Sequence, residues 1–292
     1  MSLRALTALR PSERLTALVL AGLLLLALAV RPEGWGLRAA AFALMLVAVL
    51  NLQRMAGGPR LQPLRDFAPV AMVLGVFLLL QPLVAALNPS RWDGALAAFD
   101  QRWLGPVVAA WRGAFGRPAA FTDLVYLAYA SFYFLPLAVA VLSWRRLGPE
   151  RFERLAFTIL LGFYLSFLGY FLWPAEGPRV PQVLEAAQLG GGAVSRAVRA
   201  FLRGAETTTL DAFPSGHTAL SVLSAVLATR IFPRLAPLLW AWALAIVFAT
   251  VYSSVHYAVD VAAGLLLAVL TLVLAPRLSR WLGSDPWAGH LA

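Results

Sequence analysis

Stretches free of Asp, Glu and Arg run at residues 15–30, 39–53, 67–90, 124–144, 155–175, 212–229 and 235–276, the last broken only by Asp260. Roughly 17 to 25 apolar residues cross a bilayer as a helix, so this pattern predicts transmembrane spans. The final run of 42 residues would be about 63 Å of helix at 1.5 Å per residue, twice the hydrocarbon thickness, and must fold back on itself. The polar pair Ser253-Ser254, just before His256, is the expected hairpin tip. That gives spans near 236–252 and 257–276 and about eight in all. The fold class is therefore all-α: a polytopic transmembrane helix bundle with interfacial amphipathic helices. The run at 15–30 follows Arg4, Arg10 and Arg14 and ends in Ala27-Leu28-Ala29, as a cleaved signal peptide could. Its length exceeds a typical signal core, which favours a retained first span.

Two segments do not span. Residues 88–117 carry Trp92, Phe99, Trp103 and Trp111 among Arg91, Asp93, Asp100, Arg102 and Arg112, the pattern of one or two amphipathic helices forming a collar at the membrane surface. Residues 174–211 form a polar loop in which Arg196, Arg199 and Arg203 fall on one helical face, expected to be solvated. No repeat, low-complexity tract or soluble domain is visible. The chain divides into three N-terminal spans (1–87), an interfacial segment (88–120), a core region (121–276) that includes the 174–211 loop, and a polar tail (277–292).

Composition narrows the class. Hydrophobic residues make up 61 % and charged residues 13 % of the 292, too apolar for a soluble domain. The net charge is +10, and every basic residue is arginine. This suits anionic lipid head groups; nucleic acid is not expected, because the arginines are scattered between apolar runs instead of forming one stripe. With no cysteine, disulfides, thiol nucleophiles and thiolate-held metals are excluded. An N-terminus inside places 14 arginines in inner segments and 10 in outer ones, which sets the topology we adopt.

The candidate chemistry gathers at span ends. Of the three histidines, His290 sits in the polar tail and reads as solvated. His217 lies in Ala-Phe-Pro-Ser-Gly-His-Thr (212–218), where Pro214 ends backward propagation and Ser215 is a good N-cap. The amides around Ser215, Gly216 and His217 then point out of a helix N-terminus, an anion site. His256 and Asp260 are four residues apart, one turn on a helix face, so the carboxylate can hold one ring nitrogen and leave the other lone pair outward. An ionisable residue inside a span is a functional candidate by default. Arg179, in Trp-Pro-Ala-Glu-Gly-Pro-Arg (173–179), offers a planar fork for phosphate. By the span count Arg179, His217, His256 and Asp260 share one membrane face. Read without chemistry, the same residues are a packing pair, a core histidine and a snorkelling arginine. Tyr252 and Tyr257 read as belt aromatics, with substrate contact the weaker alternative, and Glu176 as a turn carboxylate.

Pro-Ser-Gly-His (214–217), followed 39 residues later by His256 in His-x-x-x-Asp, resembles the second and third signatures of the type 2 phosphatidic-acid phosphatase superfamily. The usual first signature, Lys-x6-Arg-Pro, is absent, and Thr250 stands where an arginine normally precedes the third-signature histidine. Pro-x-x-Gly-Pro-Arg (174–179), Thr250-x-Tyr252-x-x-x-His256-Tyr257-x-x-Asp260, the aromatic Tyr129-x-x-Phe132-Tyr133-x-x-Pro136 and the Asp93/Asp100 collar are similar to the branch of fungal inositol phosphorylceramide synthase and its bacterial relatives. The resemblance covers about residues 88–276. It implies a lipid phosphatase or head-group phosphotransferase working through a phospho-histidine on His256. Asp260 would orient that histidine, His217 would act as acid, and Arg179, Ser215 and Gly216 would hold the phosphate. No cofactor and no metal are implied, and the partners are lipid-phosphate substrate and membrane lipids. The expected location is the cytoplasmic membrane, with the site on its outer face. Two other classes stay open: a metal-dependent hydrolase using His217, His256 and Asp260, and a lipid transporter using the same intramembrane groups.

Overall fold

The computed structural model describes residues 9–55, 58–115, 118–178, 190–205 and 209–283. Among these the secondary structure is helical: α1 (Pro11–Val30), α2 (Trp35–Met55), α3 (Gln62–Leu87), α4 (Asp93–Trp103), α5 (Gly105–Phe115), α6 (Ala119–Ala130), α7 (Phe134–Arg146), α8 (Pro149–Leu172), α9 (Ala193–Ala205), α10 (Gly216–Ile231), α11 (Ala236–Tyr252) and α12 (Ala258–Leu282). α6 and α7 form one membrane unit joined by a 3-10 turn, Ser131–Tyr133. Pro136, two residues into α7, has no amide to give back to the residue 132 carbonyl, which accounts for the break.

Eight helical units thus follow the predicted order. Six of them are long and apolar enough to cross a membrane. α10 and α11, at 16 and 17 residues, are shorter, and each has one end at the candidate site. The helices run further than the charge-free stretches, because charged residues inside them are paired. α1 begins at Pro11 with Glu13 buried, and Arg65 donates to both Glu13 oxygens at 2.6 and 2.9 Å. Arg10 donates to Asp66 at 2.5 Å, Trp144 Nε1 donates to the other Asp66 oxygen at 2.7 Å, and the Ser12 amide and hydroxyl donate to Glu153 at 2.8 and 2.9 Å. Buried charge is tolerated when paired and hydrogen-bonded, so a boundary drawn at the first charge falls a turn short.

α8 is the most buried of the six long spans, enclosed around its central turns, and forms the axis of the bundle. On one side α1 and α3 pack against it, with α2 laid on α1 and α3, around Leu20, Phe42, Val76, Leu80 and Tyr164. On the other α7, α10, α11 and α12 close around Leu135, Leu220, Leu223, Ile246 and Leu267. A third cluster joins α6, α9 and α11 through Val125, Tyr129, Leu202 and Tyr252. The protein is an integral membrane helix bundle.

The 88–117 segment forms two helices, α4 and α5, and the 174–211 loop contains a third, α9. The expectation of a solvated arginine face on α9 is corrected for Arg199. It is 7 % exposed and its guanidinium lies 5.0 Å from the centroid of the Tyr126 ring, because α9 docks onto α6 instead of floating in solvent. Arg196 is exposed as expected. The Arg203 side chain and His290 lie outside the described residues.

Candidate active site

The N-terminus of α10 is built as its sequence requires. Ser215 is extended, and its hydroxyl oxygen accepts the Thr218 amide at 3.2 Å. Gly216 opens the helix, where any Cβ would stand 2.7 Å from the Tyr170 hydroxyl. The next side chain, His217, is held between aromatic rings, 4.7 Å from Tyr129 and 4.3 Å from Phe132 by centroid. This explains the spacing of Tyr129 and Phe132 noted in the sequence: the last turn of α6 and the 3-10 turn after it supply the two walls.

The second histidine arrives on a hairpin. α11 ends at Tyr252, Ser254 takes a left-handed φ of 55°, and the amides of Val255 and His256 both donate to the Thr250 carbonyl, at 3.0 and 3.1 Å. Thr250 itself is fully buried, with its hydroxyl turned back to the Val247 carbonyl. The position that carries an arginine in the usual signature therefore closes the turn here.

α12 starts after Tyr257, and the carboxylate of Asp260 reaches back to accept the Tyr257 amide at 2.9 Å and to meet His256 Nδ1 at 3.3 Å. An acceptor-only carboxylate at Nδ1 sets the proton on that nitrogen and leaves Nε2 as the lone-pair face. His256 Nε2 lies 3.5 Å from His217 Nδ1, so the two predicted histidines, 39 residues apart, are brought together. Two contacts lock the helix mouths. The Ser215 amide donates to the Asp260 carbonyl at 3.1 Å, and Gly264 lets α12 approach so closely that a Cβ there would be 2.6 Å from the Ser215 carbonyl oxygen. His256 is 2 % exposed and Asp260 is fully buried.

Helix α4 reaches into this construction, which the reading of 88–117 as a surface collar did not anticipate. Asp93 accepts the Glu176 amide at 3.0 and 3.1 Å and the Gly177 amide at 2.8 Å. Asp100 accepts the Val259 amide at 3.0 Å. The Trp92 amide donates to the Pro174 carbonyl, and the Ala212 amide to the Ala175 carbonyl, both at 3.0 Å. Segments 92–103, 174–178, 212–217 and 255–260 thus form one unit. The available signal was the seven-residue spacing of Asp93 and Asp100, which puts both on one helix face.

A cleft of about 490 Å³ ends at His217. It is walled by α3 (Phe67, Leu74, Phe77), α7 (Phe134, Leu137, Ala140) and α8 (Ile159, Phe163, Phe167), and its polar end is formed by Ser166, Tyr170, Asp211, Gly216 and His217. The rim residues Leu74, Phe134 and Leu137 are exposed on the apolar flank of the bundle.

Of the remaining site candidates, Arg179 lies outside the described residues. Tyr252 is 5 % exposed and its hydroxyl pairs with Thr122 at 3.0 Å, within the α6–α9–α11 cluster and away from the cleft, because α9 covers the surface on which a belt aromatic would sit. Tyr257 caps α12 and is half-buried; burial, then the Asp93, Asp260 and Asp100 carboxylates, push its phenol above its ordinary value. Glu176 is exposed in its turn. Among the described residues no group of three or more His, Asp or Glu side chains is arranged to hold a metal ion.

No curated protein and no solved structure matches the chain. A family model does match, over residues 94–274, more than half of the sequence, including both histidines, Asp100 and Asp260. The chain belongs to the PAP2 superfamily.

Proposed function

We propose that this protein cleaves or transfers a phosphate-linked lipid head group through a phospho-histidine formed on His256. Members of the superfamily are generally phosphatases or phosphotransferases. The observation that carries the lipid reading is the cleft: an apolar slot open on the membrane flank of the bundle that ends at His217 and Gly216. Such a slot takes an acyl or prenyl chain and presents the attached phosphate at its polar end.

In this mechanism the Nε2 lone pair of His256 attacks phosphorus, while Nδ1–H donates to Asp260 and the carboxylate stabilises the charge gained. The bond to the departing oxygen breaks as His217 protonates it. Water or an acceptor hydroxyl, deprotonated by His217, then attacks phosphorus and breaks the P–N bond, which returns both histidines to their starting forms. The Gly216 and His217 amides, in a first helical turn with no intrahelical acceptor, together with the Ser215 hydroxyl and Arg179, hold the equatorial oxygens. The motifs at 174–179 and 250–260 favour the branch resembling inositol phosphorylceramide synthase, and so a transferase acting on a phospholipid or sphingolipid head group. The arginine bias supports a site on the outer face of a cytoplasmic membrane.

The test is a panel of lipid phosphates incubated with the purified protein, with inorganic phosphate and new phospholipid both measured. His256→Ala is expected to lose about 10³-fold or more of the rate, and Asp260→Asn to lose less. Activity is expected to survive EDTA and to be blocked by vanadate, which mimics five-coordinate phosphorus. A His256→Ala variant retaining a tenth of the rate would overturn the assignment, and loss on chelation restored by one divalent ion would replace it with a metal-dependent site.

A further inference from the structure

Helix α4 presents two stripes. Trp92, just before its first turn, with Phe99 and Trp103 recurs at intervals of seven and four residues, which stacks the three on one line; they are 40 %, 48 % and 61 % exposed. Asp93 and Asp100 form a second line one residue further on, about 100° round the helix. The aromatic line is the kind that seats in the head-group boundary of a bilayer, with Arg102 laid over the Trp103 ring at 5.3 Å. The acidic line is partly buried, and both carboxylates accept backbone amides of the site.

Those amides flank the His256–Asp260 pair on two sides. Asp100 holds the amide of Val259, the residue before Asp260, at the first turn of α12, where the amides lack helical partners and a carboxylate complements the helix dipole. Asp93 fixes the Glu176–Gly177 turn. Gly177, at a φ of +80°, is pressed so closely on the Val255 carbonyl that a Cβ would collide with it, so the turn forms a wall directly behind His256.

We propose that Asp93 and Asp100 are positioning residues through which α4, seated in the membrane surface, sets the geometry of the His256–Asp260 pair. The site is then aligned by the lipid interface itself and is fully formed only where α4 can lie flat in it. This rests on the phospho-histidine reading for its kinetic consequence but not for its structural one.

The test uses the full-length protein in phosphatidylcholine vesicles and in detergent micelles, with two readouts. Amide hydrogen exchange is followed over peptides containing 174–178 and 255–260, and kcat and KM are measured on a lipid phosphate that the wild type turns over. Asp100→Ala is expected to speed exchange within 255–260 and lower kcat about tenfold, with KM within about twofold, since misplacing a reacting group acts on the chemical step. Asp100→Asn keeps an acceptor oxygen for Val259 and is expected to stay within about threefold of wild type. Asp93→Ala is expected to speed exchange at 174–178 first and to lower kcat in the same sense. Phe99→Ser with Trp103→Ser is expected to lower kcat in vesicles and bring it down to the micelle value. Unchanged kcat in Asp100→Ala would overturn the proposal, as would an Asn variant as impaired as the Ala variant, unchanged exchange over 255–260 in Asp100→Ala, or a vesicle kcat unaffected by Phe99→Ser with Trp103→Ser. A wild type inactive on every lipid phosphate would sink the proposed function, while the exchange readout would still decide whether α4 holds these segments.

Discussion

Two residues with no reactive group decide how the reactive ones meet. Gly264 permits the crossing of α10 and α12, and Gly177 lets the 174–178 turn lie against the hairpin that carries His256. Gly264→Ala is expected to force the helix mouths apart, costing about 1–3 kcal/mol as overpacking does, and to lower kcat more than that loss of folded protein explains. Thermal unfolding and kcat measured on the same preparation check this, and a variant of wild-type stability and rate would show that the crossing has slack. The residues that could be read from sequence are those whose chemistry is local: Ser215 as an N-cap, His256 and Asp260 one turn apart, Pro-Ser-Gly-His as a helix mouth. Those that could not be read are defined by a partner far along the chain. Asp93 and Asp100 receive amides 83, 84 and 159 residues away, and Arg199 is buried under Tyr126, 73 residues before it.

At the scale of elements, hydropathy located the helices and their order but stopped short at their ends. A charge inside an apolar run ends a predicted span, whereas in the folded chain Glu13, Asp66 and Glu153 are enclosed by partners from neighbouring helices and the helices continue through them. The division of the fourth span into α6 and α7 has a functional side: Phe132 in the 3-10 turn backs His217, while Phe134 and Leu137 beyond it line the cleft. The cleft gives a prediction of its own. Ala71, exposed on α3, lines it and has room for a larger side chain. Ala71→Trp is expected to displace about two methylenes of a bound chain at about 0.8 kcal/mol each, raising KM for a long-chain lipid phosphate about tenfold. A water-soluble short-chain analogue should keep its KM. Equal effects on both substrates would mean that the chain binds elsewhere.

For the whole molecule, one crossing, the α6–α7 unit, separates α4 from Gly148, so the two are expected on opposite sides of the membrane. Gly94 on α4 and Gly148 between α7 and α8 both face open space, and the chain has no native cysteine. With Gly94→Cys and Gly148→Cys introduced singly, an impermeant maleimide added to intact cells is expected to label position 94 and spare position 148. The reverse pattern would move the chemistry to the inner leaflet; labelling at both would break the topology derived from the arginines. The flank opening of the cleft has a consequence for how such an enzyme must be assayed. A substrate that enters sideways from the bilayer never samples the bulk aqueous phase, so its effective concentration is its mole fraction among the surrounding lipids. Diluting the vesicles in buffer should leave the rate per protein unchanged, whereas diluting the substrate with inert lipid at constant total amount should lower it. Saturation is then a property of a two-dimensional solvent, and the affinity that matters is the preference for this groove over the neighbouring lipid chains it displaces.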